Sequence, residues 1–320
     1  MKLTIFTPTY NRASTLPRLF AALQRQTDKR FEWLIVDDGS TDNTEQLIQE
    51  FRGQTDSFDI RYYQQDHGGK PRAQNKAVDL ATGELFLVCD SNKYPADNAV
   101  ELILKMESTV QHNPTICGVG GYRADFNGRP FGGEMTLGGL PFVDCTRLEG
   151  AEYNIVVDKS TAFYTNILRK YKSPEYPGET FVSEGVWLIP MAADGYKTRW
   201  FPEILIYGEY TADGLTKQGA NSRIGHSQNF QGYLHLIRVE IAARGIQPVL
   251  FMIHEALDIA KEKGMPTKTF ASRIGCSRLQ VIRIQIVRLL HKIYGVFSKA
   301  LKKIIGAHLT ERLRKVFKRK

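Results

Sequence analysis

Phe31-Glu32-Trp33-Leu34-Ile35-Val36, closed by Asp37-Asp38-Gly39-Ser40, is the stretch whose reading decides the fold. Aromatic and β-branched residues followed by Asp-Asp-Gly-Ser predict a strand running into a tight turn. A second apolar run, Leu85-Phe86-Leu87-Val88-Cys89, ends in another acidic turn, Asp90-Ser91-Asn92. Strands apolar on both faces and alternating with helical patterns predict a parallel sheet covered on both sides. In such sheets ligands bind beyond the carboxyl ends of the strands, so both acidic turns are expected on one ligand-binding edge.

The flanking segments complete the pattern. Leu3-Thr4-Ile5-Phe6 reads as a first strand leading into Thr7-Pro8-Thr9-Tyr10-Asn11-Arg12. Ser14 is placed to cap a helix carrying Leu16, Leu19, Phe20 and Leu23, and Thr41 or Asp42 a second one reaching Phe51. A third strand near Ile60-Arg61-Tyr62-Tyr63 runs into His67-Gly68-Gly69-Lys70, followed by a helix from about Arg72 to Leu80. The order β-α-β-α-β-α-β implies right-handed crossovers and a doubly wound α/β sheet. Gly118-Val119-Gly120-Gly121 is not a dinucleotide fingerprint, because Arg occupies position 123 and the segment falls late in the chain.

Taken singly, these turns have ordinary readings. Asp-Asp-Gly-Ser-Thr-Asp is good turn and cap chemistry, and Gly68-Gly69-Lys70 is acceptable as a plain loop. Together they are specific. Pro8-Thr9-Tyr10-Asn11-Arg12, Asp37 to Asp42, Gly69-Lys70 with Ala73 and Asn75, and Asp90-Ser91-Asn92 closely resemble the nucleotide-binding half of family-2 glycosyltransferases, of the kind that builds bacterial surface polysaccharide. The resemblance is dense to about residue 105 and thinner to about residue 217. It implies the GT-A fold, a Rossmann-like, mostly parallel sheet flanked by helices, and transfer of a sugar from a nucleotide donor with inversion. It also implies a uridine site from Pro8, Tyr10 and Asp38, with Thr9, Lys70, Asn75, Asp90 and Ser91 around the nucleotide. The chemistry agrees, since a uracil imide N–H wants a carboxylate, a ring offers a stacking face, and Lys suits a diphosphate.

Two departures stand out. Relatives usually carry Asp-x-Asp after the fourth strand, the last Asp holding a divalent cation. Here Asn92 takes that place and Lys93 follows. Mn²⁺ or Mg²⁺ on Asp90 and Asn92 is therefore expected to bind weakly, because an amide oxygen brings no charge. Lys93 either stands in for part of that cation or is a solvated loop residue. In the base region, Tyr176 to Trp187, relatives often have Glu-Asp, whereas this chain has Glu184-Gly185, with Ser183 or Thr180 as possible caps. The resemblance thus places the base on Glu184, with Glu179 in reserve; a lone Glu at a helix start is otherwise a dipole partner. Tyr210 to Lys217 resembles a donor-side loop of polysaccharide-building members, and His226 follows in a similar loop, where an ordinary surface role also suits it.

The chain of 320 residues carries net charge +9. From Arg278 to Lys320 thirteen Lys/Arg face one acid, Glu311, a local balance of +12 that leaves residues 1–277 at −3. Ile282, Ile286, Leu289, Leu290, Ile293, Val296, Phe297, Leu301, Ile304 and Ile305 form one helical face there. That pattern predicts a basic amphipathic helix on an anionic membrane surface, the alternative being a helix packed on the catalytic domain. Without aromatic interleaving it does not predict nucleic-acid binding. Residues 1–230 are expected to form the GT-A domain, 1–105 the nucleotide half and 106–230 the acceptor half. A helical linker over 231–277 and the tail over 278–320 follow. The four cysteines show no metal spacing, and no signal segment or spanning run is apparent, so a cytosolic enzyme peripheral to the inner membrane face is expected. Its acceptor is expected to be a lipid-linked or growing glycan. The competing reading is a catalytically weak sugar-nucleotide-binding protein that anchors a membrane assembly, kept open by Asn92 and Gly185. A sugar-nucleotide transferase is disfavoured, because its glycine-rich basic opening loop is missing.

Overall fold

The computed structural model describes residues 2–110, 113–155, 158–209, 220, 222–291 and 293–294. Its first half is the expected alternation: β1 (Leu3–Thr9), α1 (Leu16–Gln24), β2 (Phe31–Asp37), α2 (Thr44–Arg52), β3 (Asp59–Gln64), α3 (Lys70–Leu80) and β4 (Leu85–Val88). The four strands are parallel in the order β3-β2-β1-β4. Period-two alternation explains why the central strands are apolar on both sides. Trp33 and Ile35 face one helical layer with Leu19, Phe20, Ile48 and Phe51, while Leu34 and Val36 face Ala73, Ala77 and Val78 of α3.

Register sets the edge. Thr9 pairs with Asp37 and Pro8 with Val36, so β1 and β2 end side by side. The two turns that follow then interlock, Asn11 N–H donating to Ser40 Oγ at 2.8 Å and Thr41 N–H to Asn11 Oδ1 at 2.8 Å.

The second half adds β5 (Lys93–Pro95), α4 (Ala99–Ser108), β6 (Ile116–Ala124), β7 (Val143–Cys145), β8 (Lys159–Tyr164), α5 (Thr165–Leu168), α6 (Gly185–Ala193) and β9 (Lys197–Gly208). The sheet continues β4-β8-β6-β9-β5, with β7 also on β9. β8 is antiparallel to both β4 and β6, so the sheet is mixed beyond its parallel nucleotide half. The glycines of Gly118-Val119-Gly120-Gly121 sit inside β6 for packing: a Cβ on Gly118 would lie 2.4 Å from Ala162 O.

Helix starts differ from expectation. α2 begins at Thr44, because Asp42 Oδ1 takes the Thr44 N–H and hydroxyl in a turn of its own. α1 has no side-chain cap. α3 starts at Lys70, two residues early, because Gly69 at φ 89° turns the chain straight into it. The helical stretch after residue 222 is α7 (Arg223–Gln228), α8 (Phe230–Arg244), α9 (Leu250–Glu262) and α10 (Thr267–Arg273), broken at Gly245, whose φ is 78°.

The chain divides into two compact units, Met1–Ala256 and Leu257–Lys320. Within the first unit α8 packs on α6 and buries Leu234 and Ile237. In the second unit Phe270, Ala271, Ile274 and Val281 are buried, and residues 278–291 are helical. Arg288 holds Asp258 through two bonds of 2.6 and 2.8 Å, while Ile286, Leu289, Leu290 and Ile293 are each at least half exposed. Val296, Phe297, Leu301, Ile304 and Ile305 lie outside the described residues. Among the described residues, no helix is long and apolar enough to cross a membrane.

Candidate functional site

A cleft of about 680 Å³ opens along the carboxyl edge of the sheet, lined by Pro8, Thr9, Tyr10, Asp38, Lys70, Asp90, Ser91, Asn92 and Glu184. The structure thus gathers every expected site residue except one. Asn75 lies elsewhere on α3: its amide donates to Ser173 O at 2.8 Å and Glu175 Oε1 at 3.0 Å, and accepts the Ser173 N–H at 3.0 Å. Asn75 is outside the cleft-lining set and fastens α3 to the segment before α6 through Ser173, which does line the cleft.

Side-chain alternation separates the two acids after β2. Asp37 turns inward, accepting from Tyr62 Oη at 2.7 Å and Ser40 N–H at 2.8 Å. Asp38, 4% exposed, turns to the cleft floor. Its Oδ1 accepts from Gln65 Nε2 at 2.8 Å and Gly68 N–H at 2.9 Å; Oδ2 accepts from Gly69 N–H at 2.7 Å and faces His67 Nδ1 at 2.8 Å. Four contacts occupy the roughly four lone-pair sites of a carboxylate. Asp38 therefore organises the 65–69 loop as well as facing the cleft.

That loop could be built only with glycine at 69. A Cβ there would fall 1.8 Å from Thr180 O, and its φ of 89° lies where L-residues are strained. Above the loop, Tyr10 and the His67 ring stack with centroids 4.4 Å apart. Thr9 Oγ1, on a residue 2% exposed, is a buried side-chain polar atom without a protein partner. A native chain seldom orphans such an atom unless something else satisfies it.

Cations gather in the middle of the cleft. Lys70 Nζ lies 2.7 Å from Asp90 Oδ1 and 3.9 Å from Glu184 Oε1. Burial alone would raise the Asp90 pKa, but Lys70, Arg123 and Lys93 overcome it and hold it down at about 2. Burial depresses Lys93, Asp90 opposing, and its ammonium also donates to Glu209 O. Burial would depress Lys70 as well, but Asp90 and Glu184 raise it.

A divalent cation wants several hard anionic oxygens. Of Asp90, Ser91 and Asn92 only Asp90 is charged, and an ammonium already lies on one of its two oxygens, Oδ1. Among the described residues, no group of three His, Cys, Asp or Glu is placed to hold a metal. The residues present do not fit Mn²⁺ or Mg²⁺.

Glu184 and Glu179 part company. Glu184 is the N-cap of α6, offers no side-chain cap bond and stands at the cleft with its side chain 55% exposed. Glu179 instead spends both oxygens on the start of α8, taking Gln231 N–H at 2.7 Å and Gly232 N–H at 2.9 Å. The reserve base is thus a helix cap. Gly185 has a packing reason: a Cβ would meet Leu236 Cδ1 of α8 at 2.7 Å. His226 stacks on Tyr233 at 3.8 Å and faces Glu255 Oε2 at 3.2 Å, apart from the cleft-lining set. Residues 210–217 lie outside the described residues.

Sequence reading missed His67, Arg123 and Arg147, all lining the cleft. For Arg123 the available signal was a charged residue inside an otherwise apolar strand, Gly118 to Ala124.

This arrangement, a parallel α/β half with its ligand cleft at the strand ends and a mixed-sheet second half, defines a GT-A-type protein. The glycosyl transferase family 2 model matches residues 4–172, more than half of the chain, and the chain belongs to that family. Glycosyltransferase GlyG of Streptococcus pneumoniae serotype 4 is 29% identical over 101 residues, 32% of this chain and 33% of GlyG. The match thus spans about a third of that curated relative's length. Staphylococcus aureus TarS 1–349, solved with UDP, superposes with TM-score 0.57 at 17% identity, over 80% of this chain and 70% of that one. The mannosyltransferase PcManGT from Pyrobaculum calidifontis, solved with GDP-Man and Mn²⁺, superposes with TM-score 0.53 at 16% identity, over 92% and 82%. At such identities the likeness is one of fold.

Proposed function

We propose that this chain is an inverting glycosyltransferase that moves a sugar from a UDP-linked donor to a hydroxyl of a lipid-linked or growing surface glycan. The observation that carries the reading is the order of chemistry along one cleft. A stacked ring and an orphaned hydroxyl, Tyr10 and Thr9, lie beside Asp38. Cations follow around Asp90, and Glu184 stands 3.9 Å from the nearest of them. That order matches nucleoside, diphosphate and reacting carbon in sequence.

In the reaction, the acceptor oxygen bonds the anomeric carbon from the face opposite the diphosphate. The carbon–oxygen bond to the diphosphate breaks, and its electron pair leaves with the nucleotide. Glu184 takes the acceptor's proton, and the half-exposed carboxylate lets that proton pass on to water. Inversion follows from a single displacement. The UDP found in the TarS structure supports a uridine donor.

The basic segment from residue 278 supports work at an anionic membrane surface on the cytosolic side. Its exposed Ile286, Leu289, Leu290 and Ile293 suit an interfacial helix, and each basic residue near the surface adds roughly 1 kcal/mol. Co-sedimentation with phosphatidylserine vesicles but not phosphatidylcholine vesicles is the expected outcome; equal recovery in the two supernatants would discard it.

The central test incubates the protein with a panel of nucleotide sugars and an acceptor extract and measures nucleotide release. Release from a UDP-sugar alone is expected. Tight UDP binding with no turnover on any donor would favour the non-catalytic anchor.

A further inference from the structure

We infer that Lys70, Lys93 and Arg123 neutralise the leaving diphosphate in place of a divalent cation, with Asp90 as a positioning residue for Lys70. The inference rests on the donor reading above and concerns how that donor's diphosphate is held.

Three observations converge on it. Asp90, the only charged acid of its turn, has its Oδ1 2.7 Å from Lys70 Nζ, and the same carboxylate feels Arg123 and Lys93. Three cations converge on Asp90, with Glu184 3.9 Å from Lys70 and Asp158 acting on Lys93 as further acids of the cluster. A metal added at the Asp90 turn would meet these cations and compete with an ammonium for Asp90 Oδ1. Second, the cations are held rather than free to drift. Arg123 projects from β6 and spends one of its five N–H donors on Ser160 Oγ at 3.0 Å, which fixes the guanidinium plane. The stem of Lys93 lies on Gly208, where a Cβ would meet its Cδ at 2.3 Å, and its ammonium donates to Glu209 O. Third, all three line the same cleft as Thr9, Tyr10 and Glu184.

When the bond between anomeric carbon and diphosphate oxygen breaks, the negative charge gained by the diphosphate falls among these groups. A guanidinium offers paired donors to phosphate oxygens, and an ammonium supplies a compact charge. Lys70, 3.9 Å from Glu184, also links leaving group and base. Its charge favours the ionised carboxylate that must accept a proton.

The experiment is titration calorimetry of the full chain with UDP and, separately, uridine, in excess EDTA and in millimolar Mn²⁺. The parent protein is expected to bind UDP within twofold under the two conditions. Arg123→Gln and Lys93→Gln are each expected to weaken UDP about tenfold or more and leave uridine affinity unchanged. Unchanged uridine affinity also verifies that the variants are folded. An increase of tenfold or more in the parent's UDP affinity on adding Mn²⁺ would overturn the inference. So would UDP affinity indifferent to both substitutions. Failure of the parent to bind uridine or UDP would remove the donor reading and this inference with it, an outcome distinct from the other two.

Discussion

Asp38→Asn is nearly isosteric, yet the structure makes it a severe change. Both carboxylate oxygens accept a backbone N–H, Oδ1 from Gly68 and Oδ2 from Gly69. Whichever way an asparagine amide lies, its NH₂ must face one of those N–H groups. One charge-assisted bond is lost, and a largely buried donor is left pointing at another donor. A hydrogen bond to a charged group contributes about 1.5–3 kcal/mol, and an unsatisfied buried donor costs about 1–3 kcal/mol; because these overlap, the expected loss is about 2–4 kcal/mol. The loop affected carries His67, the stacking partner of Tyr10, so UDP affinity should fall with stability. Urea unfolding followed by calorimetry with UDP reads both quantities. Asp38→Ala, which removes the facing donor but orphans both amides, should be about as harmful. If Asp38→Asn unfolds within about 0.5 kcal/mol of the parent and binds UDP within twofold, Asp38 does not organise this loop.

Glu184→Gln is expected to slow transfer by about 10²–10⁴-fold with UDP affinity unchanged, as removal of a general base should. Glu179→Gln should instead cost about 1 kcal/mol of stability through the weakened start of α8 and leave kcat near the parent's; the opposite pattern in steady-state kinetics would exchange their roles. Asp90 is held at about 2, below its unfolded value of 3.8. Its stabilising contribution is therefore complete above about pH 4 and is lost as pH falls towards 2. Unfolding free energies measured across that window should show a shallower acid limb for Asp90→Asn, and parallel curves would refute the pairing.

The local features of this chain determined most of its nucleotide half. Apolar runs such as Phe31 to Val36 bury both faces of a strand wherever they fall, and Asp-Gly or Gly-Gly pairs turn the chain regardless of distant partners. The strands, their parallel pairing and the ligand edge were therefore legible, and Tyr10, Asp38, Lys70 and Asp90 all line the cleft at that edge. What depended on residues far apart in sequence was not. Glu179 and Glu184 have the same chemistry and neighbouring positions; only the docking of α8 commits one to a cap and leaves the other at the cleft. The partners of Asn75, Ser173 and Glu175, come from the segment before α6, about a hundred residues on in the chain. Gly185 looked like a lost acid until Leu236 was seen to occupy the space of its side chain. Arg123 joins the site because β6 sits two strands from β4 and brings its side chain to the cleft that Asp90 also lines. Turns and strand faces depend on neighbours in the chain, whereas the charge and role of a side chain depend on which distant groups the sheet order brings within a few ångströms.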